Sequence, residues 1–230
     1  MLIIADKRIP EEARNNLQKY GELVLLETTG ITEKSISGHP DIFICDAGGK
    51  IILAPNIPAE IKNVLTENNI PFIMGEKPVG MNYPYAAHYN AVVINNTIIH
   101  RSDITDKRIP DACKNHKLIE VSQGFTRCSL LPVDDKHFIT SDEGIHKTLI
   151  ELGYTALKVS VNGIILRGHP HGFFGGACGI FKNKIFILGN LNHYSDKKKV
   201  EFFAGLMNFE IVELYDGPLF DGGSIFFLKN

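Results

Sequence analysis

Five short polar or nucleophilic residues, Asp41, Asn90, Cys128, Cys178 and Ser224, each stand at the head of an otherwise apolar, strand-like run. Two histidines precede the first pair by two positions, His39 before Asp41 and His88 before Asn90. A cysteine thiolate is a nucleophile, and a neighbouring histidine can carry protons to and from a leaving group. Converging in one concavity, such groups would make a binding or catalytic site. Each also has a plainer reading. A lone cysteine at a strand start is a small buried hydrophobe, Asp41 can cap a turn, and His39 can be a loop histidine satisfied by backbone.

The elements that must position these residues repeat along the chain. In GHPDIFICDAGGKIILAPN, Gly38 to Asn56, two apolar runs flank Gly48-Gly49, the pattern of a β-hairpin. A helical segment opened by Pro58 follows, then a short apolar run from Ile70 to Met74; proline at the first turn of a helix loses no hydrogen bond. The unit is strand, strand, helix, strand. A second copy starts at Asn90, turned by Asn95-Asn96, and its DKRIP at Asp106–Pro110 repeats Asp6–Pro10 letter for letter. A third starts at Cys128, turned by Asp134-Asp135, with a helix from Glu143 to Leu152 and a strand from Ala156 to Val161. Asn162-Gly163 then predicts an extra hairpin. A fourth starts at Cys178, turned by Lys182-Asn183. The opening segment has only one strand before its helix, and the tail, GGSIFFLKN, is a strand without a partner. Joined head to tail they complete a fifth unit.

The five strand starts are spaced 49, 38, 50 and 46 residues apart, and 47 across the joined ends. Such a period marks a repeat architecture. The expected fold is an α+β ring of five ββαβ units, a single domain over residues 1–230, closed by pairing the N- and C-terminal strands so that no sheet edge is left open. Radial repetition would bring the strand starts to the axis.

Bulk composition narrows the function. The 44% hydrophobic content of 230 residues suffices for a full core, and a net charge of −2 gives no reason to expect nucleic acid or an acidic membrane. No apolar run reaches the length of a membrane span. The start, MLIIADKRIP, does not read as a signal peptide. Four cysteines at irregular spacing make neither a disulfide framework nor a zinc site, so a cytoplasmic location with free thiols is expected. Cys45 and Cys113 read as structural, and Cys178 as packing or a second thiol at the pore. His169 and His171, in RGHPHGFFGG, lack a third ligand nearby and read as part of a mobile glycine-rich loop. Gly175 and Gly176 allow a close backbone approach to a ligand or merely start a strand.

Three motifs carry a family resemblance. GHPDIFICDAGGKIILAPN resembles the HxD strand and hairpin of the penteins, the five-bladed α/β propellers of the guanidine-modifying enzymes; GFTRCSLLP resembles their cysteine strand, and LFDGGSIFFL their acidic-Gly-Gly strand. Read across the joined ends, the motifs keep the family's cyclic order, so the chain resembles a circularly permuted member. The resemblance implies that Cys128 is the nucleophile and His39 the acid and base. It implies that Asp41 and Asp221 orient a planar guanidinium, with Asn90, Cys178 and Ser224 lining the same hollow. The implied activity is a cysteine-dependent amidinohydrolase or deiminase acting through a thiouronium intermediate on a small guanidino or amidino substrate, with no metal or cofactor. The chain departs from the family pattern in FFGGACGIF, where an Arg-Asp motif is absent, and in Ser224, where a second carboxylate is usual. The other reading the fold permits is a catalytically silent binding protein, like the ribosome anti-association factor that shares it.

Overall fold

Glycine and asparagine turns and four amphipathic helices divide the chain into units whose boundaries are close to those the pattern predicts. The computed structural model describes residues 1–229. The first unit contributes β1 (Leu2–Asp6), α1 (Glu11–Gln18) and β2 (Glu22–Leu26). A one-turn helix α2 (Pro40–Phe43) leads into β3 (Ile44–Asp46), β4 (Ile51–Leu53), α3 (Ala59–Glu67) and β5 (Phe72–Met74). Next come β6 (Val92–Ile94), β7 (Thr97–His100), α4 (Arg108–Ala112) and β8 (Lys117–Glu120). A second one-turn helix α5 (Thr126–Ser129) opens into β9 (Leu130–Pro132), β10 (His137–Thr140), α6 (Glu143–Glu151) and β11 (Thr155–Lys158). After β12 (Ile164–Ile165) follow β13 (Cys178–Phe181), β14 (Lys184–Ile187), α7 (Lys197–Leu206), β15 (Glu210–Glu213), β16 (Leu219–Phe220) and β17 (Phe226–Leu228).

Five sheets share one plan: β17-β1-β2, β3-β4-β5, β6-β7-β8, β9-β10-β11 and β13-β14-β15. In each, the first pair is antiparallel and the second parallel. Except for β17–β1, whose strands come from opposite ends of the chain, the reason is local. A tight turn can only reverse a strand, whereas a helix is long enough to carry the chain back for a parallel pairing. The turns have the backbone this needs: Gly48 and Gly49 have φ of 70° and 90°, and Asn95 and Lys182 have φ of 49° and 54°. Four helices bury the same i, i+4 pair on their sheets: Ala13 and Leu17, Ile61 and Leu65, Ile145 and Leu149, Val200 and Ala204. The Asp142 side chain caps α6 by accepting from Ile145 N at 2.8 Å.

The two ends of the chain do share a sheet. β1 pairs with β17, Leu2 opposite Leu228 and Ile4 opposite Phe226. The first strands of successive units lie side by side, β3 by β6, β6 by β9, β9 by β13 and β13 by β17. The loops and one-turn helices that precede these strands therefore meet near one another, and they hold the candidate site.

The extra hairpin is one expectation that fails. Asn162-Gly163 turns the chain, with Gly163 at φ 89°, but no hairpin follows. Ile164 and Ile165 instead pair in parallel with Leu219 and Phe220. Ile164 and Leu219 are both buried there, in one apolar cluster with Phe174, so the side chains' demand for burial overrides the hairpin signal. No helix among the described residues is long and apolar enough to cross a membrane.

Candidate active site

Most of the reactive residues sit one turn before their strands rather than on them. Asp41 lies on α2 and Cys128 on α5, Asn90 in the loop before β6, and Ser224, at φ 71°, two residues before β17. Only Cys178 is the first residue of its strand. Pro40 starts α2, as a proline at the first helical position can. A single helical turn is too short to show periodicity in sequence, so these positions read as strand starts.

Asn90 fastens two of these turns together. Its Oδ1 accepts from Cys128 N at 3.1 Å and its main-chain oxygen from Arg127 N at 2.9 Å. Its Nδ2 donates to Asp41 O at 3.1 Å and to Cys128 Sγ at 3.3 Å. A third turn is tied in by Asp41 N, which donates to Gly223 O at 3.1 Å. Asp41 Oδ2 then accepts from Cys128 Sγ at 3.0 Å and from Ser224 Oγ at 2.8 Å. All four side chains are buried.

His39 stands over this cluster between two carboxylates. Its Nε2 is 3.9 Å from Asp6 Oδ2 and its Nδ1 is 4.0 Å from Asp221 Oδ1, both beyond hydrogen-bond reach. One donor atom from each of His39, Asp41 and Cys128 lies within 4.8 Å of the others. By donor type and closeness the trio could equally ligate a metal ion. Both ring nitrogens of His39 and Asp41 Oδ1 are buried without a hydrogen-bond partner among the described residues. Buried polar atoms are rarely left so.

Asp221 is fixed by Phe173 N at 2.8 Å and Gly223 N at 3.1 Å. Cys178 packs in an apolar cluster with Phe174 and Ile187, and no hydrogen bond joins it to Asp41, Asn90 or Cys128 among the described residues. The electrostatics follow from burial. The Cys128 thiol is held well above its ordinary pKa, first by desolvation, then by the charges of Asp41 and Asp221, against a smaller opposing effect of the Asn90 hydrogen bond. Burial likewise raises the Asp221 carboxyl, with His39 opposing it.

Above the sulfur lies a cavity of about 350 Å³ with Cys128, His39 and Asp221 among its lining. Asp41 lies behind the thiol and is not among the lining residues. The walls are largely apolar and include Ile36, Ile42, Phe125, Leu166 and Phe173, while Glu33, Met81, Tyr83, His169 and His171 extend toward the surface. The loop of His169 and His171 thus forms part of the cavity, with His169 Nε2 2.9 Å from Ser35 Oγ and 3.6 Å from Glu33 Oε2.

Asp6 is the site residue that sequence reasoning misses. It is fully buried and accepts from Arg8 N at 2.7 Å and Arg8 Nε at 2.9 Å. The available signal was the repeated DKRIP. In the second copy Asp106 organises a loop in the same way, accepting from Glu76 N, Lys77 N and the Tyr89 hydroxyl at 2.9, 2.7 and 2.9 Å. The glycines before Cys178 are also explained. A Cβ on Gly176 would lie 2.0 Å from Asp221 Oδ1, and one on Gly175 would lie 2.5 Å from Arg127 O and 2.7 Å from Cys128 O. Both neighbours of Gly175 are backbone and cannot swing away. Gly175→Ala is expected to lower stability by roughly 2–4 kcal/mol, read as a shift of the urea midpoint; an unchanged midpoint would show that the two segments have room to part.

A family model described as a family of unknown function (DUF6873) matches residues 4–226. The chain belongs to that family. No curated protein matches this DUF6873 member in sequence. Among solved structures it is similar to an amidinotransferase from Microseira wollei in the saxitoxin biosynthetic pathway, at 10% identity and a TM-score of 0.53, covering 92% of this chain and 87% of that one. It is similar to DDAH from Pseudomonas aeruginosa, solved as a mutant complexed with citrulline, at 8% identity and a TM-score of 0.56, covering 92% and 91%. It is also similar to the agmatine deiminase of C. jejuni, at 10% identity and a TM-score of 0.56, covering 93% and 74%. At these identities the likeness is one of fold, and the fold of this DUF6873 member is that of the penteins.

Proposed function

We propose that the chain is a cysteine-dependent enzyme, an amidinohydrolase or deiminase, that modifies a guanidino or amidino compound through a thiouronium intermediate. In this reading the five units are the blades of one α/β propeller domain spanning residues 1–230, and the site lies where their entering turns meet. The observation that carries the proposal is that His39, Asp41 and Cys128 each bring a donor atom within 4.8 Å of the others beneath a cavity, with both His39 nitrogens and Asp41 Oδ1 buried and unpartnered among the described residues. A planar cationic fork of N–H donors suits the Asp221 carboxylate in that cavity.

The guanidinium enters with its N–H groups toward Asp221, drawn also by the charge of Asp41 behind the thiol. Its positive charge offsets the two carboxylates that keep the thiol protonated, and the thiol proton passes to His39. The sulfur attacks the central carbon and forms a C–S bond, with Asn90 Nδ2 donating to the sulfur as charge builds there. His39 gives the proton to the departing amine as the C–N bond breaks, leaving the thiouronium. A water molecule, deprotonated by His39, adds to the same carbon. The C–S bond then breaks, the added hydroxyl gives up its proton to become a carbonyl where the amine was, the sulfur regains one proton, and the other leaves with the amine as an ammonium ion. Ser224 and Asn90 hold the carboxylate and the thiol in register, Asp6 and Asp221 flank the imidazole, and Cys178 serves packing.

Charge supplies the test. At neutral pH cationic chloroacetamidine is expected to alkylate Cys128 at least about tenfold faster than neutral iodoacetamide, because only the former brings the charge that releases the thiol proton. Guanidinium should protect Cys128 and a chelator should change nothing, as read by peptide mass spectrometry. Labelling of Cys128 no faster than of Cys113 would sink the enzymatic reading and leave a binding role without turnover.

A further inference from the structure

The cavity above Cys128 also has the composition of a selectivity filter. We infer that its ligand is a guanidine or amidine on an apolar chain that carries no carboxylate, so that free arginine is excluded; this rests on the guanidine chemistry proposed for Cys128. The cavity, about 350 Å³, lies within the size range of small-molecule sites, about 300–1,000 Å³. Its walls between floor and rim are apolar, with Ile36, Phe125, Leu166 and Phe173 among them. Its fixed charges are negative, Asp221 at the floor and Glu33 at the rim.

No lysine or arginine side chain lines the cavity among the described residues. Arg101 touches the lining through Tyr83, whose hydroxyl accepts from its Nη1 at 2.6 Å, but its Nε and Nη2 donate to Asp103 at 2.9 and 2.8 Å. Each of the two rim histidines has one ring nitrogen engaged. His169 Nε2 faces Ser35 Oγ and the Glu33 carboxylate at 2.9 and 3.6 Å, and His171 Nδ1 meets Gly172 O at 3.1 Å. A substrate carboxylate would therefore leave water for an apolar wall between two acids, with no lysine or arginine to pair with, and an unpaired buried charge is heavily penalised. An apolar tail gains from the same wall. A distal ammonium at the end of that tail reaches the rim beside Glu33, which is 49% exposed, and is tolerated there.

Calorimetry on the native chain with N-butylguanidine, agmatine and arginine tests this without needing turnover. Butylguanidine is expected to bind at least about 100-fold more tightly than arginine, with agmatine within about tenfold of butylguanidine. Phe173→Ser should weaken butylguanidine by roughly tenfold and leave unsubstituted guanidinium unchanged. Arginine binding as tightly as butylguanidine, or neither binding at all, overturns the inference. The labelling contrast at Cys128 reports on the chemistry separately. Selective labelling with tight arginine binding removes the substrate class alone, and butylguanidine binding without selective labelling removes the chemistry alone.

Discussion

Replacing Cys128 with alanine is expected to reduce turnover of an alkylguanidine by roughly 10⁴-fold or more, because every other group in the site moves protons or holds charge and none forms the bond to carbon. Asp221 remains to bind the cation and the charge of Asp41 to attract it, so the KM should change far less than kcat. The fold should survive. The thiol is small, and its removal also relieves a buried sulfhydryl of two carboxylate neighbours. Thermal unfolding of Cys128→Ala within a few degrees of the native protein, with amine release lost and no chloroacetamidine adduct by intact mass, is the expected pattern. Full turnover in the variant would remove the mechanism. Loss of turnover together with loss of the folding transition would make the residue a packing element instead.

Asp41→Asn is expected to drive two rates in opposite directions. The aspartate accepts the thiol hydrogen bond at 3.0 Å, and its charge, after burial, is the largest influence holding the proton on sulfur. Alkylation by neutral iodoacetamide follows the thiolate fraction, which rises with pH toward the thiol pKa. Removing the charge lowers that pKa, so the alkylation profile moves to lower pH and the rate at any fixed neutral pH increases. Turnover should nonetheless fall by roughly 10²–10³-fold, since the guanidinium loses a nearby negative charge in a desolvated site. Stability follows the same sign. The folded thiol has a raised pKa, so its contribution is fully present below the unfolded value of about 8.5 and is lost as pH climbs from there toward the folded value. The native protein should therefore weaken at alkaline pH more than Asp41→Asn does, as urea unfolding across that range would show. Equal and parallel loss of both rates would mean that Asp41 merely supports the turn.

The repeat was legible in sequence because its signals are strong and local. Gly48-Gly49, Asn95-Asn96 and Lys182-Asn183 mark reversals that only certain residues tolerate, and helices with apolar residues at i, i+4 follow. The meeting of Asp41, Asn90, Cys128 and Ser224 was legible only through the repeat, since residues at equivalent places in equivalent units must share an environment. What stayed hidden has no local signature. The turns at Pro40–Phe43 and Thr126–Ser129 are too short for periodicity. The β12–β16 pair joins segments more than fifty positions apart and is chosen by burial, not by its turn. Asp6 looked like one letter of a repeated pentapeptide because nothing in a charged, turn-like DKRIP shows that its first residue is buried beside an imidazole.

β1 lies in the middle of its sheet, bonded on one edge to β2 and on the other to β17, which is more than two hundred positions away. An open array of repeats can fray from either end while the remainder persists. Here the outermost segments are each other's neighbours, so thermal melting should be one concerted event, and refolding should wait on a slow, long-range closure. Because Leu2 faces Leu228 in an antiparallel pair, a pull applied to both termini would peel that ribbon one rung at a time instead of shearing it. The molecule should yield at low force exactly where its two ends are joined, before any helix is loaded.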